Sequence, residues 1–229
     1  RFSALETVDK ILRSTRASSS VRPDAEIDIF VLRMRRPPRS TLLPHTTLVR
    51  SDSNFSRRSM ITRTNVELAN DLGNLCQRTL SLVARNLGGV VPERGPQTED
   101  DLAILATAQL LPSLMSEQIE RKAITDALEE VWRSIRAANS YIDRQAPWAL
   151  KKTDPERMAH VLRVLLDVIR GIATMLQPYM PNTMDKMLTQ LGVEDSERSF
   201  AALEPALPGG RTLPKPEGLF PRFVVEEAE

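Results

Sequence analysis

The sequence contains very few side chains that can bind metals or form covalent cross-links. Cys76 is the only cysteine among 229 residues, which excludes an internal disulfide and a cysteine-rich zinc site. The two histidines, His45 and His160, lie far apart in the sequence and do not suggest a shared metal site. We therefore expect no bound metal in this chain.

Aromatic residues and glycines are also scarce, at 4% and nine residues respectively. With 41% hydrophobic residues the chain can nevertheless bury a core, and this combination favours helices over an all-β fold. No apolar run approaches the roughly 18–20 residues of a membrane span, and no signal peptide is visible. We therefore expect a cytoplasmic protein.

The charges of the chain are nearly balanced. Its 31 basic and 30 acidic residues give a net charge of +1, so the protein as a whole does not present the field of a polycation. Any binding of nucleic acid has to come from a local patch instead. The evidence for function therefore lies in short stretches rather than in composition.

Residues 1–52 differ from the rest of the chain, since they show neither a helical nor a strand period. The stretch RRPPRSTLLPHTTLVRS, from Arg35 to Ser51, permits three interpretations. It could be a basic extended arm that contacts phosphates or a disordered segment. It also resembles the translation of a sequencing adaptor, from about Met34 to Ser51, and we assign these residues no function.

The central part of the sequence is predicted to be helical, because its apolar residues recur every three to four positions. Thr98 and Asp101 form a capping-box pattern at one helix start, and Gly88 and Gly89 form a stop signal before it. Pro112 falls inside the second helix and can bend or divide it. The predicted helices run from about Arg57 to Asn86, Thr98 to Glu117, Arg121 to Gln145, Asp154 to Leu176 and Asn182 to Leu191.

These helices predict an all-α fold, a bundle of about five helices. The predicted boundaries place an irregular N-terminal segment at residues 1–52, the helical domain at residues 53–192 and a proline-rich C-terminal tail at residues 193–229. Neither an internal repeat nor a glycine-rich phosphate loop occurs in the sequence. Function has to be inferred from polar residues that the helical pattern leaves unexplained.

Three such residues, Asn70, Asn74 and Arg78, are spaced four apart in the first predicted helix. Asparagine is a poor helix former, because its amide competes for backbone hydrogen bonds. At about 100° per residue the three side chains form one slanted stripe that faces away from the apolar side. Amide and guanidinium groups read base edges well, but from spacing alone a solvated helix face is the simpler interpretation.

A second unusual stretch, NSYIDRQAPWAL, places Trp148 directly after Pro147 and beyond a predicted helix end. A tryptophan in a loop held by a proline can serve as a stacking platform for an unpaired base. It can also cap the core of the bundle, which is the simpler interpretation without other information. Asp143 could orient the tryptophan or be solvated.

Several stretches in order resemble one family. NVELANDLGNLCQR and NSYIDRQAPWALKK resemble the anticodon-binding domain of methionyl-tRNA synthetases. DSNFSRRSMITRTN resembles the junction between that family's catalytic and helical domains, LQPYMPNTMDKMLTQLG its late helices, and LFPR its C-terminal segment. The resemblance covers about Asp52 to Phe223. Class I synthetases for leucine, isoleucine and valine share an APW-like element and are one alternative, and a non-enzymatic helical interaction domain is another.

The resemblance implies the fold of a class I synthetase anticodon-binding domain and recognition of the methionine-tRNA anticodon loop. It implies neither DNA nor a membrane as a partner. In the family, the matching side chains of the first helix and of the APW element lie at the anticodon. The site residues implied here are Asn70, Asn74, Arg78, Asp143, Pro147 and Trp148.

The motifs of the family's catalytic half are absent. The sequence has no His-x-Gly-His-like element and no Lys-Met-Ser-Lys-Ser loop. The resemblance assigns ATP, and zinc in the members that bind it, to that catalytic half, so we expect no catalytic residue and no cofactor in this chain. A complete methionine–tRNA ligase would attach methionine to its tRNA, whereas this chain would supply only selection of the tRNA.

We therefore predict that the chain alone does not catalyse methionine-dependent exchange of pyrophosphate with ATP. The physical reason is that the groups that hold ATP and stabilise adenylate formation are missing. An exchange assay with labelled pyrophosphate measures this, with a buffer blank and an active synthetase as controls. Exchange above the blank would contradict the prediction.

Overall fold

Helices form most of the chain that the structure describes, as predicted. The structure is a computed structural model and describes residues 57–203 and 206–224. The predictions about residues 1–52, including the adaptor-like stretch, lie outside these ranges. The helices are α1 (Arg57–Arg63), a π-helical segment (Thr64–Gly73), α2 (Asn74–Asn86), α3 (Glu99–Glu120), α4 (Ile124–Gln145), α5 (Pro147–Thr153), α6 (Pro155–Leu176) and α7 (Pro181–Gln190).

The first predicted helix is continuous but not uniform. Its outer bounds are confirmed, since α1, the π-helical segment and α2 follow one another over the predicted length. The prediction of α-helical winding throughout is wrong for Thr64–Gly73, where the hydrogen bonds close over five residues instead of four. The carbonyl of Asp71 accepts bonds from the N–H of Asn74 and, at 3.2 Å, from the side-chain amide of Asn139 in α4. These bonds keep a backbone acceptor satisfied where the winding changes.

The predicted capping box at the start of α3 is confirmed. The Thr98 N–H donates to the carboxylate of Asp101 at 2.9 Å, and the Asp101 N–H donates back to the Thr98 hydroxyl at 3.4 Å. Pro112 lies inside α3, which continues past it without a break. Pro112 therefore does not divide the helix.

Residues with positive φ lie just after the ends of α2 and α3. Gly88 and Gly89 have φ of 63° and 74° after α2 ends, in agreement with the predicted stop signal. Lys122 has φ of 59° between α3 and α4. The third predicted helix, which is α4, begins at Ile124 and not at Arg121. The reason is that the backbone leaves the right-handed helical region at Lys122.

α6 is the central helix of the bundle. It packs against α2, α3, α4, α5 and α7, so it is covered on most sides. The apolar residues predicted for this helix are confirmed as core residues, all at most 2% exposed: Met158, Val161, Leu162, Leu165, Val168, Ile169, Ile172 and Leu176.

Periodicity overestimates burial near two helix starts. Met60 in α1 and Ile124 in α4 belong to predicted apolar faces but are 52% and 56% exposed. Leu72 and Leu75, further along the first helical run, are fully buried as expected. The period of a sequence identifies which residues share a face, whereas the neighbouring elements decide how much of that face is covered.

A buried carboxylate connects α3, α4 and α6. Asp101 in the first turn of α3 accepts two hydrogen bonds from the guanidinium of Arg157 in α6, with 2.7 Å between Nη2 and Oδ1. It also accepts a bond from the hydroxyl of Tyr141 in α4. Arg157 donates in turn to the side-chain carbonyl of Gln145, the last residue of α4, at 2.9 Å.

The electrostatics of this network fix its protonation. Burial raises the pKa of the Asp101 carboxyl, but hydrogen bonds, above all that from Arg157, outweigh it and hold the pKa well below its usual range. Burial and the bond to Asp101 raise the pKa of the Tyr141 hydroxyl. The carboxylate is therefore ionised and the phenol neutral throughout the physiological pH range.

The segment that follows α7 packs back along the bundle. The Leu213 N–H donates to the carbonyl of Gly89 at 2.7 Å, and the buried guanidinium of Arg163 in α6 donates to the carbonyl of Leu207. Leu207 and Leu213 are 2% and 9% exposed. The predicted tail, residues 193–229, thus includes residues that contribute to the core.

We predict that Asp101→Asn lowers the free energy of unfolding by about 3–5 kcal/mol near neutral pH, because it leaves the Arg157 charge without its buried partner. Since the folded-state pKa of Asp101 is depressed, its contribution is complete above the ordinary carboxyl pKa and is lost as the pH falls through the folded-state value. The difference in the free energy of unfolding between wild type and Asp101→Asn should therefore become smaller as the pH is lowered. Urea unfolding followed by circular dichroism at neutral and acid pH measures it.

Glu99→Gln is the matched control, because Glu99 lies in the same first turn of α3 but is exposed. It should change stability by less than about 1 kcal/mol. Equal stability of Asp101→Asn and Glu99→Gln would contradict the role given to the buried carboxylate.

Candidate nucleic-acid interface

The end of α4 is shaped by a sharp turn at Ala146. This residue adopts a left-handed conformation with φ of 42° and ψ of 59°, which ends α4 and lets α5 begin at the next residue. The conformation costs an alanine roughly 1–2 kcal/mol, and a residue before a proline also avoids the right-handed helical region. Contacts on both sides hold it, since Gln145 is bound by Arg157 and Pro147 is buried.

Trp148 is the second residue of α5 and is 47% exposed. The prediction that it lies in a loop is wrong, because Pro147 occupies a first helical position, where its missing N–H is not needed. The other tryptophan, Trp132, packs against the hydrophobic core. Trp148 therefore presents about half of its surface to solvent, while Pro147 anchors the start of its helix.

Arg78 of α2 contacts two of the other predicted site residues. Its Nη2 donates to Oδ1 of Asp143 at 2.7 Å, and its Cζ lies 5.3 Å from the centre of the Trp148 ring. The three side chains come from α2, α4 and α5. The structure thus brings together three residues that the sequence places in two distant stretches.

Both contacts of Arg78 are partly open to water. The side chains of Arg78 and Asp143 are 39% and 60% exposed, and an exposed ion pair contributes about 0–1 kcal/mol. An exposed cation–π contact such as that of Arg78 with Trp148 contributes about 0.5–1 kcal/mol. These weak contacts orient the side chains of Arg78, Asp143 and Trp148 but do not prevent them from rearranging. The carboxylate of Asp143 also balances the charge of Arg78.

Asn74 lies one turn before Arg78, at the start of α2, and is exposed. Residues four apart on an α-helix are neighbours on its surface. Within the part of the chain that the structure describes, the Asn74 side chain has no hydrogen-bond partner. Its amide is therefore available both as a donor and as an acceptor.

Asn70 is also exposed but belongs to the π-helical segment, where the assumed 100° per residue does not apply. Its Oδ1 accepts a hydrogen bond from Nη2 of Arg222 at 2.8 Å. No hydrogen bond or ion pair within residues 57–203 and 206–224 joins Asn70 to Arg78. The predicted stripe is therefore divided between α2 and a neighbouring segment that the C-terminal chain contacts.

Sequence reasoning misses the C-terminal contacts of this surface. Arg222 lies 152 positions from Asn70 in the sequence, and Asn65 binds the backbone of Phe223 across 158 positions. The one sequence feature that points to this part of the chain is the stretch LFPR, which resembles the family's C-terminal segment. It does not indicate which residues the segment contacts. Contacts between residues so far apart leave no local pattern that could be read.

The described residues form neither a metal site nor a membrane-spanning helix. Among them, no group of three or more His, Cys, Asp and Glu side chains could hold a metal ion, and none of the helices offers an apolar stretch of membrane-spanning length. Cys76 is buried, and burial raises the pKa of its thiol to about 12. The thiol therefore stays protonated and is a poor nucleophile.

Residues 91–229 match the family described as the anticodon binding domain of methionyl tRNA ligase. The match includes Asp143, Pro147 and Trp148 and begins after α2. The methionine–tRNA ligase of Mycobacterium leprae (strain TN) is 43% identical over 182 residues, which are 78% of this chain and 34% of that protein. The ligase of Mesorhizobium japonicum is 43% identical over 175 residues, 76% of this chain and 34% of that protein.

Solved structures with a similar fold come from the same kind of protein. The crystal structure of the free form of Mycobacterium tuberculosis methionyl-tRNA synthetase has a TM-score of 0.72 and 41% identity, and covers 75% of this chain and 36% of that chain. The family match covers well over half of the 229 residues, and it sets aside a leucine, isoleucine or valine synthetase domain and an unrelated helical protein. This chain belongs to the family of methionyl-tRNA ligase anticodon-binding domains.

Proposed function

We propose that this chain recognises the anticodon loop of a methionine tRNA, as the RNA-binding part of a methionine–tRNA ligase. The observation that carries the proposal is the contact of Arg78 with Trp148 and Asp143 on an exposed surface, beside the exposed amide of Asn74. Loop bases of RNA are unpaired, stack on aromatic rings and guanidinium planes, and are read along their edges. Membership of the family supports the same partner.

Trp148 and Arg78 together offer a surface on which a base can stack. Their mutual contact is worth about 0.5–1 kcal/mol, whereas stacking of one base on an aromatic ring is worth about 1–3 kcal/mol. An unpaired base therefore gains enough to displace the guanidinium from the ring. The buried Pro147 and the turn at Ala146 fix the backbone that carries the indole, so less ordering is left to be done on binding.

Asn74 and Arg78 are suited to reading base edges. The amide of Asn74 offers a donor and an acceptor, and the guanidinium of Arg78 offers a fork of donors. The carboxylate of Asp143 orients that fork and balances its charge. General attraction to phosphates is thereby reduced, so the geometry of edge contacts counts for more in the choice of RNA.

The attachment of methionine belongs to the complete ligase in this proposal. This chain spans about a third of the length of the curated relatives it matches, and we propose for it no catalytic residue, metal or cofactor. The roles of Asn70, Asn74, Arg78, Asp143, Pro147 and Trp148 at the anticodon are part of the proposal. A cytoplasmic location stays a prediction.

We predict that Trp148→Ala weakens binding of a methionine-tRNA anticodon stem-loop by about 1–3 kcal/mol, because one base–aromatic stack is lost. Fluorescence titration of the labelled stem-loop with the full chain measures it. Phe200→Ala is the matched control, since Phe200 is also an exposed aromatic, 52% exposed, but belongs to the segment after α7. Unchanged affinity in Trp148→Ala would contradict the stacking role.

We predict that Arg78→Ala costs about 1–3 kcal/mol of affinity and relaxes discrimination at one anticodon base. Asn74→Ala should cost less, about 0.5–1.5 kcal/mol, because a neutral hydrogen bond gains little net energy in water. Titrations with the cognate stem-loop and with single-base variants separate affinity from discrimination. Arg85→Ala removes the same charge from an exposed position of α2 and should bind as the wild type does.

A further comparison separates edge reading from charge repulsion. Arg78→Ala leaves Asp143 unpaired beside a polyanion, so part of its effect can come from that carboxylate. If Arg78→Ala with Asp143→Ala regains wild-type affinity and discrimination, Arg78 only neutralises Asp143 and does not read a base. If Trp148→Ala, Arg78→Ala and Asn74→Ala all bind every stem-loop as the wild type does, the surface is a solvated helix face.

A further inference from the structure

The C-terminal residues 219–223, which we call the C-terminal strap, run along the π-helical segment. Two contacts fix their position. The side-chain amide of Asn65 donates to the carbonyl of Phe223 at 2.7 Å and accepts from its N–H at 3.0 Å. The ring of Phe220 lies so close to Gly73 that a Cβ at Gly73 would be 3.2 Å from Phe220 Cδ2.

The chain just upstream of the strap is held by a similar pair of bonds at Glu217. The side-chain amide of Gln190, the last residue of α7, donates to the carbonyl of Glu217 and accepts from its N–H, each at 3.1 Å. Asn65 and Gln190 thus bind the backbone on either side of Arg222, at Phe223 and at Glu217. A two-point bond to backbone fixes both the position and the direction of the chain.

A third contact decides the orientation of the Asn70 amide. Nη2 of Arg222 lies 2.8 Å from Oδ1 of Asn70. A guanidinium can only donate hydrogen bonds, so the amide must turn its oxygen towards Arg222. The NH₂ group of this exposed side chain is left to face other partners.

We propose that the C-terminal strap fixes Asn70 as a hydrogen-bond donor towards RNA, with Arg222 and Asn65 as positioning residues. The proposal rests on the proposed function. An exposed asparagine without a partner can turn its amide over and offer either atom, so it discriminates poorly between base edges. An amide whose oxygen is engaged favours bases that present an acceptor at that point and disfavours those that present a donor.

A competing role for Arg222 is a direct contact to a phosphate. Within the described ranges Arg222 has no ion-pair partner, so its charge is available to RNA. The two roles differ in what they predict. A phosphate contact adds affinity for every sequence and a salt dependence, whereas positioning of Asn70 changes the choice between bases and acts only while Asn70 is present.

The test compares the full chain with variants in titrations against the cognate anticodon stem-loop and single-base variants of it. Arg222→Met keeps a long side chain but removes the donor, and it should reduce discrimination at one base by about 3- to 10-fold, the equivalent of one hydrogen bond. Asn65→Ala should act in the same direction, and Arg222→Lys, which still donates, should restore most of the discrimination. Lys215→Met removes a charge from an exposed position upstream of the strap and should leave discrimination unchanged.

A double variant isolates the coupling. In an Asn70→Ala background, Arg222→Met should have no further effect on discrimination, because the side chain that it positions is gone. Independently of RNA, the Asn70 side-chain amide signals in an NMR spectrum should shift in Arg222→Met and stay in place in Lys215→Met.

Three results would overturn the proposal. One is unchanged discrimination in Arg222→Met while Arg78→Ala and Trp148→Ala weaken binding, which leaves the proposed function intact. Another is an equal loss for all stem-loops, with a shallower salt dependence, that persists without Asn70, since this identifies a phosphate contact. If Arg78→Ala, Trp148→Ala and Arg222→Met are all without effect, the proposed function fails together with this inference.

Discussion

The buried contact between Asp101 and Arg157 is the interaction on which both the bundle and the proposed site depend. It joins the first turn of α3 to the first turn of α6, and Tyr141 and Gln145 connect it to the last turns of α4. An ion pair at this depth is maintained only with complete hydrogen bonding, because each group would be costly to bury alone. Its geometry therefore fixes where α4 ends.

That end is where the exposed group begins. Asp143 lies between Tyr141 and Gln145, and the turn at Ala146 that directs Trp148 follows directly. Along the last turns of α4, Tyr141 and Gln145 thus bind the buried network, whereas Asp143 between them makes the weak, exposed contact with Arg78. Breaking these exposed contacts costs about 1–2 kcal/mol, so the proposed RNA-binding surface can rearrange without loss of the buried contacts.

The features that could be predicted from the sequence are those that depend on near neighbours. The capping box of Thr98, the stop at Gly88 and the apolar face of α6 are set by residues within one or two turns of each other, and all are confirmed. The helix at Trp148 was missed because Pro147 reads equally well as a loop residue and as a first helical residue. The buried Asp101 network was missed because its members lie 40 and 56 positions apart.

The candidate site was predictable only in part, and the π-helical segment shows why. Asn74 and Arg78 share one α-helix, so their spacing of four has the meaning that the sequence suggests. The spacing of five from Asn65 to Asn70 has no such meaning in an α-helix, where five residues turn the chain about 140° away from its starting face. In a π-helix, five residues close one hydrogen-bonded turn.

Asn65 and Asn70 therefore come to the same side of the segment, where both contact the C-terminal strap. The stretch TNVELANDLG favours this winding, because asparagine, aspartate, glycine and β-branched residues weaken the α-helical alternative. The asparagines that make this stretch a poor α-helix are thus the residues that grip the strap. The low α-helix propensity of this stretch permits the π-helical winding, and the winding brings Asn70 to the side where Arg222 binds it, 152 positions away in the sequence. The sequence shows the low propensity but not the distant partner, so the winding could not be predicted from it.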